Sequence, residues 1–250
     1  MKQSKVLLVG AISAAFPAAF AQDVDTSQSS DATSPTYADM DFSQRWAGIY
    51  VGLNAGGIGH FASHKGYEPA GVSESDSWPS QTGEAFGELF GAQIGYNFQH
   101  ENLVVGVEAD FGVSTAGSED VFEDGYVWRQ RTGIDALGTA RLRIGYAFDR
   151  AMIYATGGLA VGKVKDAIQA GDFFGSYSWS SGSRWKLGYV VGAGAEVAIN
   201  DKWSIKGEGL FYDLGKEDHE SILGNGDTYA WGSEIRSQGV VGRLGLNYRF

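Results

Sequence analysis

The stretches IGYNF (residues 94–98), IGYAF (residues 144–148) and LNYRF (residues 246–250) share one pattern, apolar-x-Tyr-x-Phe. A fourth stretch, AEVAI (residues 195–199), keeps the same alternation with aliphatic side chains. The four stretches end at residues 98, 148, 199 and 250, so their spacing is 50, 51 and 51 residues. Such regular spacing indicates one supersecondary unit that is repeated four times.

Each unit contains two segments with period-two alternation, which is the signature of half-buried strands. Short polar turns follow the first three units, at residues 99–102, 149–150 and 200–202. Long polar loops are expected inside the units, at residues 59–83, 114–131, 165–183 and 215–234. Long loops on one side and tight turns on the other are typical of a transmembrane β-barrel. The sequence therefore predicts an all-β fold, an eight-stranded antiparallel up-and-down transmembrane β-barrel with four long extracellular loops and three short periplasmic turns.

The predicted strands have one apolar face each, and the opposite face carries charged residues near mid-strand. Eight strands enclose an interior just wide enough to be filled by side chains. Because an unpaired buried charge is costly, the balance of four acidic and four basic residues predicts an ion-pair network that plugs the lumen. A narrow polar pore lined by the same charges is the alternative. The residues are Glu108, Asp110, Arg141, Arg143, Glu196, Lys206, Glu208 and Arg243.

Aromatic residues cluster beside the predicted short turns, where an interfacial girdle of a membrane barrel would lie. A soluble β-sandwich would not need such a cluster, nor apolar faces on all eight strands. The last strand, RLGLNYRF (residues 243–250), is expected to pair with the first strand near residues 46–57 and close the barrel. The predicted periplasmic girdle consists of Tyr96, Phe98, Tyr146, Phe148, Trp203, Tyr248 and Phe250.

The N-terminus has the composition of a secretory signal. MKQSK is a basic segment, VLLVGAISAAFPAAF is an apolar segment, and Ala19-Phe20-Ala21 fits the small-x-small cleavage rule. We expect a signal peptide at residues 1–21, with an uncleaved membrane anchor as the alternative. Residues 22–44 contain no Lys or Arg and predict a flexible acidic leader, and residues 45–250 predict the barrel. Export and barrel together predict the outer membrane.

Composition and motifs argue against several classes of function. The net charge of −11 argues against a nucleic-acid partner, and the absence of Cys excludes thiolate metal sites. We find no P-loop or dinucleotide motif, and DHES (residues 218–221) is a poor catalytic candidate because sequence neighbours rarely form a triad. We therefore expect a non-enzymatic protein without a cofactor. His60-x-x-x-His64 remains a weak candidate for a haem or metal site.

Several strand sequences resemble those of a known family. They are WAGIYVGLNAGG (residues 46–57), FGAQIGYNFQ (residues 90–99), VVGVEADF (residues 104–111), ARLRIGYAFDRAMIYATGGLA (residues 140–160) and KGEGLFYDLG (residues 206–215). The family is the small outer-membrane β-barrel proteins of alphaproteobacteria, which include surface antigens of about 25 and 31 kDa. The resemblance implies a monomeric or loosely associated barrel in a Gram-negative outer membrane, in contact with outer-membrane lipid and lipopolysaccharide.

The family resemblance also implies roles and partners. The family's roles are envelope integrity, surface antigenicity, interaction with a host surface ligand, limited pore activity and, in some members, haemin binding. The end of the chain resembles the signal read by the outer-membrane barrel assembly machinery, polar-x-Gly-x-x-aromatic-x-aromatic. The matching residues are Arg243, Gly245, Tyr248 and Phe250.

Overall fold

The computed structural model describes residues 45–67, 81–123, 127–172, 175–180, 183–222 and 230–250. The predicted signal peptide (residues 1–21) and acidic leader (residues 22–44) lie outside this part of the chain, so both stay predictions. Among the described residues, no helix has the length and apolar character needed to cross a membrane.

The described chain is almost entirely β-strand, as the period-two alternation predicts. Its strands are β1 (Gly48–Tyr67), β2 (Gln81–His100), β3 (Leu103–Ser114), β4 (Gly117–Glu123), β5 (Val127–Phe148), β6 (Ala151–Asp172), β7 (Gly175–Ser180), β8 (Arg184–Ala198), β9 (Trp203–Ile222) and β10 (Ala230–Arg249). All pairings are antiparallel, and β1 pairs with both β2 and β10. The sheet is therefore closed into a barrel.

These ten strands occupy eight positions around the barrel wall. β4 follows β3 along the same partner, β5, and β7 precedes β8 along the same partner, β6. The predicted eight-stranded antiparallel barrel is thus confirmed. We call the end with the connections at residues 101–102, 149–150 and 199–202 the turn end, and the opposite end the loop end.

The strands are staggered around the barrel. Following paired residues from Val197 on β8 through β9, β10, β1, β2, β3, β5 and β6 leads back to Leu187, ten residues away on β8. Such a stagger requires the strands to tilt against the barrel axis. With eight strands, it leaves an interior that side chains can fill.

The predicted bounds of the long loops are wrong. β1 continues to Tyr67, β5 begins at Val127, β6 continues to Asp172 and β9 continues to Ile222, all inside segments that we expected to be loops. The reason is that backbone pairing does not require an apolar face. Polar residues continue the hydrogen-bonded ladder beyond the apolar band, and the alternation used to find strands stops there.

The outer wall of the barrel is apolar and the inner wall of its turn-end half is polar. The burial pattern of β3 alternates strictly, with exposed apolar side chains opposite buried polar ones. Large apolar side chains that are exposed on the outside include Leu53, Ile94, Val107, Leu142, Leu159, Leu187, Ile205 and Leu244. A globular protein in water would not expose such a continuous apolar wall. The arrangement suits a lipid environment.

Buried tyrosines lie over glycines of neighbouring strands. The Tyr154 ring covers Gly194, where an added Cβ would lie 2.6 Å from the ring. Replacing Gly194 by alanine is expected to destabilise the barrel by about 1–3 kcal/mol, since the well-packed interior cannot absorb the extra methyl group. Chemical unfolding in detergent micelles, followed by tryptophan fluorescence, measures the change.

Gly209→Ala is the matched control for this substitution. Gly209 lies on a neighbouring strand, and a Cβ added there would meet nothing within 4 Å. We expect the free energy of unfolding of the control to stay near that of the wild type. Equal losses in the two variants would contradict the packing argument.

Candidate functional site

The eight predicted lumen charges all lie on the inner wall. They come from β3, β5, β8, β9 and β10, and each is at most 8 % exposed. Alternation puts them there, because each occupies the strand face opposite the exposed apolar side chains. We call these eight residues the ion-pair network.

Arg141 lies at the centre of the ion-pair network. Its guanidinium contacts Glu108, and it lies 3.0 Å from Asp110 and 3.1 Å from Glu208. Arg243 joins two of the same carboxylates, at 2.9 Å from Asp110 and 2.6 Å from Glu208. Two guanidinium groups therefore share three carboxylates across the lumen.

The other two cations extend the network toward the turn end. Lys206 lies 2.9 Å from Glu108 and 3.3 Å from Glu208. Arg143 lies 2.9 Å from Glu196 and 3.6 Å from Glu108. All eight charges thus form one connected set, which satisfies the condition that buried ions need partners of opposite charge.

Neutral side chains complete the network, and the sequence did not single them out. Tyr50 donates to Glu108 at 2.6 Å and accepts from Arg143 at 2.9 Å, and Tyr154 donates to Glu208 at 3.1 Å. The sequence does not settle which face of the first strand points inward, because Trp46 and Tyr50 do not share a side with Ile49, so Tyr50 could not be assigned. Further donors to the carboxylates are Thr139, Ser204 and Asn247.

Lys186, Ser237 and His60 are buried in the loop-end half of the lumen, but an apolar cluster also lies there, contrary to our expectation of a polar inner face. We call this cluster the apolar layer. Its residues are Ile58, Leu89, Ala116, Ile134, Leu137, Ala160, Val164, Val190, Leu210, Tyr212, Leu214 and Val241. Here both faces of a strand are apolar, as at Leu210 and Phe211, so alternation alone does not reveal the inward residues.

A second apolar cluster closes the lumen at the turn end, and we call it the floor. It consists of Trp46, Val104, Ala147, Met152, Tyr154 and Ala198. Trp46 is fully buried, its backbone N–H donates to Gln99 Oε1 at 2.7 Å, and the Arg249 guanidinium lies 4.9 Å from its ring centroid. The ion-pair network therefore lies between two apolar clusters.

The predicted girdle residues lie on the outside of the turn end. Tyr248 is half-buried and the other six are exposed. Ring centroids are 4.8 Å apart for Tyr146 and Phe148, and 5.1 Å apart for Trp203 and Tyr248. Neighbouring aromatic rings are therefore in contact on the outside of this end.

The four residues of the predicted assembly signal do not share one face of β10. Three of them belong to the strand, and Phe250 directly follows it. Arg243 and Gly245 face the lumen, whereas Tyr248 and Phe250 lie on the outside. The Phe250 N–H donates to the Ile49 carbonyl at 3.1 Å, so the end of the chain is paired with the first strand.

The two candidate histidines do not form a shared site in the described part of the structure. Both belong to β1, where four residues span about 13 Å, so a strand does not bring them together as a helix would. His60 is fully buried, and its Nδ1 lies 3.1 Å from the Tyr212 hydroxyl. The side chain of His64 lies outside the described residues. No cluster of three or more metal-binding side chains occurs among the residues that the structure describes.

A closed barrel with an apolar outer wall, a polar network inside and aromatic residues at one end defines the class of outer-membrane β-barrel proteins. The family model described as "Outer membrane protein beta-barrel domain" matches residues 6–250. The chain belongs to this family and is located in the outer membrane.

Two relatives agree with this assignment, and a solved structure shares the fold. The chain is 39 % identical to the 31 kDa outer-membrane immunogenic protein of Brucella melitensis, over 98 % of this chain and all of the relative. It is 27 % identical to the 25 kDa outer-membrane immunogenic protein of Brucella abortus, over 82 % of this chain and 79 % of the relative. The structure of the Escherichia coli outer-membrane protease OmpT is similar, with a TM-score of 0.50 and 12 % identity over 81 % of this chain and 96 % of OmpT, which shows a shared fold alone.

Proposed function

We propose that this surface-antigen-like barrel is a non-enzymatic, monomeric protein that supports envelope integrity and makes contacts at the cell surface. Those contacts are with outer-membrane lipid, including lipopolysaccharide, and with neighbouring or host surfaces. The observation that carries the proposal is that side chains fill the lumen, with the ion-pair network lying between the floor and the apolar layer. A barrel whose lumen is filled in this way provides a rigid wall and an outer surface. It leaves no path for solutes.

The narrow channel is the alternative function, and single-channel recording distinguishes the two. In a planar lipid bilayer, we expect the wild-type barrel to show no stable open state, because water and ions would have to enter the apolar layer. A general porin inserted into the same membrane serves as the positive control. A stable channel whose conductance shifts in Arg141→Ala or Glu108→Ala would contradict the proposal that the lumen is closed to ions.

The haem-binding receptor is the third candidate, and no observation favours it. Haem iron needs an imidazole nitrogen at an accessible position. His60 is buried beneath the loop end and is hydrogen-bonded to Tyr212 through one nitrogen. Surface contact therefore remains the function that the geometry supports best.

A further inference from the structure

Arg249 is a buried cation that does not belong to the ion-pair network. It is the last residue of β10, it lies on the inner wall at the turn end, and it is only 7 % exposed. No carboxylate of the described residues forms an ion pair with its guanidinium. The network itself contains four acidic and four basic residues, so Arg249 adds a positive charge that the network does not balance.

The contacts that Arg249 makes are with neutral groups. Its Nη1 donates to the backbone carbonyl of Arg45, and its guanidinium carbon lies 4.9 Å from the ring centroid of Trp46. Its Nε is buried and has no acceptor within the described part of the chain. A carbonyl and an aromatic ring carry no net charge, whereas a buried cation is normally compensated by an anion.

The carboxylates at this end of the barrel already have other partners. Glu196 accepts hydrogen bonds from three side chains, those of Arg143, Ser204 and Asn247. Asp201 lies 3.4 Å from the Arg45 guanidinium, and its side chain is 91 % exposed. A counter-charge for Arg249 is therefore to be sought outside the described residues.

Trp46 adds a second donor to this place. Its ring is fully buried, and its indole Nε1 has no acceptor among the residues that the structure describes. An indole N–H and a guanidinium N–H can only donate, and a carboxylate offers two acceptor oxygens. Hydrogen bonds between ionised partners are also the strong ones. The floor thus has the donors and the charge of a carboxylate-binding site.

The chain itself carries a carboxylate close to this site. Residues 22–44 contain no Lys or Arg, and Asp41, which lies outside the described residues, is the acidic residue that precedes Arg45 most closely. Four residues span at most about 14 Å, and one tight turn would return Asp41 to the Arg45 carbonyl, where Arg249 is bound. Closing so short a loop costs little entropy.

We propose that the Asp41 carboxylate binds the Arg249 guanidinium and the Trp46 indole N–H, and so anchors the segment of residues 41–44 across the turn end. The anchor joins the chain before β1 to the end of β10. It stabilises the folded barrel, whereas insertion into the membrane depends on the barrel strands. It acts at the turn end, independently of surface contacts and of conductance.

Asp41→Asn tests the anchor in the barrel of residues 22–250. We expect the midpoint of thermal unfolding in detergent micelles, followed by heat-modifiable migration, to fall by about 5 °C, because a charged hydrogen-bonded contact is lost. Asp39→Asn removes the same charge two residues away and is the matched control, with a midpoint like that of the wild type. In an Arg249→Gln background, Asp41→Asn should cause no further loss, because its partner is already absent. Equal midpoints of Asp41→Asn and Asp39→Asn, or an undiminished loss in the Arg249→Gln background, would overturn the proposal.

Added acetate distinguishes Asp41 from a free anion. At equal ionic strength in chloride and in acetate, we expect acetate to raise the midpoint of Asp41→Asn, whose site is vacated, and to leave the wild type and Asp41→Asn/Arg249→Gln unchanged. Equal stabilisation of the wild type and of Asp41→Asn would show that the site takes an anion from solution and would overturn the assignment to Asp41. An Asp41→Asn midpoint that acetate leaves unchanged would contradict the carboxylate site.

Discussion

Arg141→Met is expected to destabilise the barrel by about 3–5 kcal/mol, because it removes one partner of a buried ionic cluster. The Arg141 guanidinium contacts Glu108, Asp110 and Glu208, all buried. Without it, these carboxylates keep only part of their compensating charge, in an interior that excludes water. The free energy of unfolding, measured in detergent micelles by denaturant titration, reports the loss.

Arg150→Met is the control for the loss of a positive charge as such. Arg150 is exposed at the turn end, and its replacement should change stability by no more than about 0.5 kcal/mol. Adding Glu208→Gln to Arg141→Met restores the balance of charge and is expected to recover part of the loss. If Arg141→Met and Arg150→Met behave alike, the ion-pair network contributes nothing specific to stability.

Deletion of Phe250 is expected to lower the amount of folded barrel in the outer membrane several-fold, whereas deletion of residues 22–44 leaves it near the wild-type level. Phe250 pairs with Ile49 through its backbone, and its ring centroid lies 5.2 Å from that of Tyr248. It is also the last residue of the proposed assembly signal. Heat-modifiable migration on unboiled gels, together with protease cleavage in intact cells, measures the folded fraction and its orientation.

Phe250→Leu keeps the residue count and the backbone hydrogen bond while removing the aromatic ring. A level between those of the deletion and the wild type would assign separate contributions to the ring and to the backbone. Equal surface levels of the Phe250 deletion and the leader deletion would refute the role of the terminal residue. Cleavage of the protein at residues 99–102 or 149–150 in intact cells would show that the barrel has the opposite orientation in the membrane.

The sequence predicted the barrel and the charges of the lumen because both follow from period-two alternation. Glu108 and Arg141 each lie opposite an apolar face, so their inward direction could be inferred without coordinates. The apolar layer could not be predicted in this way. Inward Leu210 is followed by outward Phe211, so the two faces of the strand have the same polarity there. Tyr50 was missed for a related reason, because Trp46 and Tyr50 do not share a side with Ile49 and Val51, so both faces of the first strand carry large apolar side chains.

The floor has a consequence for the order of events in assembly. Arg249 and Trp46 come from opposite ends of the barrel sequence, and the Arg249 side chain also donates to the carbonyl of Arg45, 204 positions away in the chain. Contacts between such distant segments carry a high entropic cost and form late. We therefore expect Trp46 to become buried only when the first and last strands meet and the barrel closes.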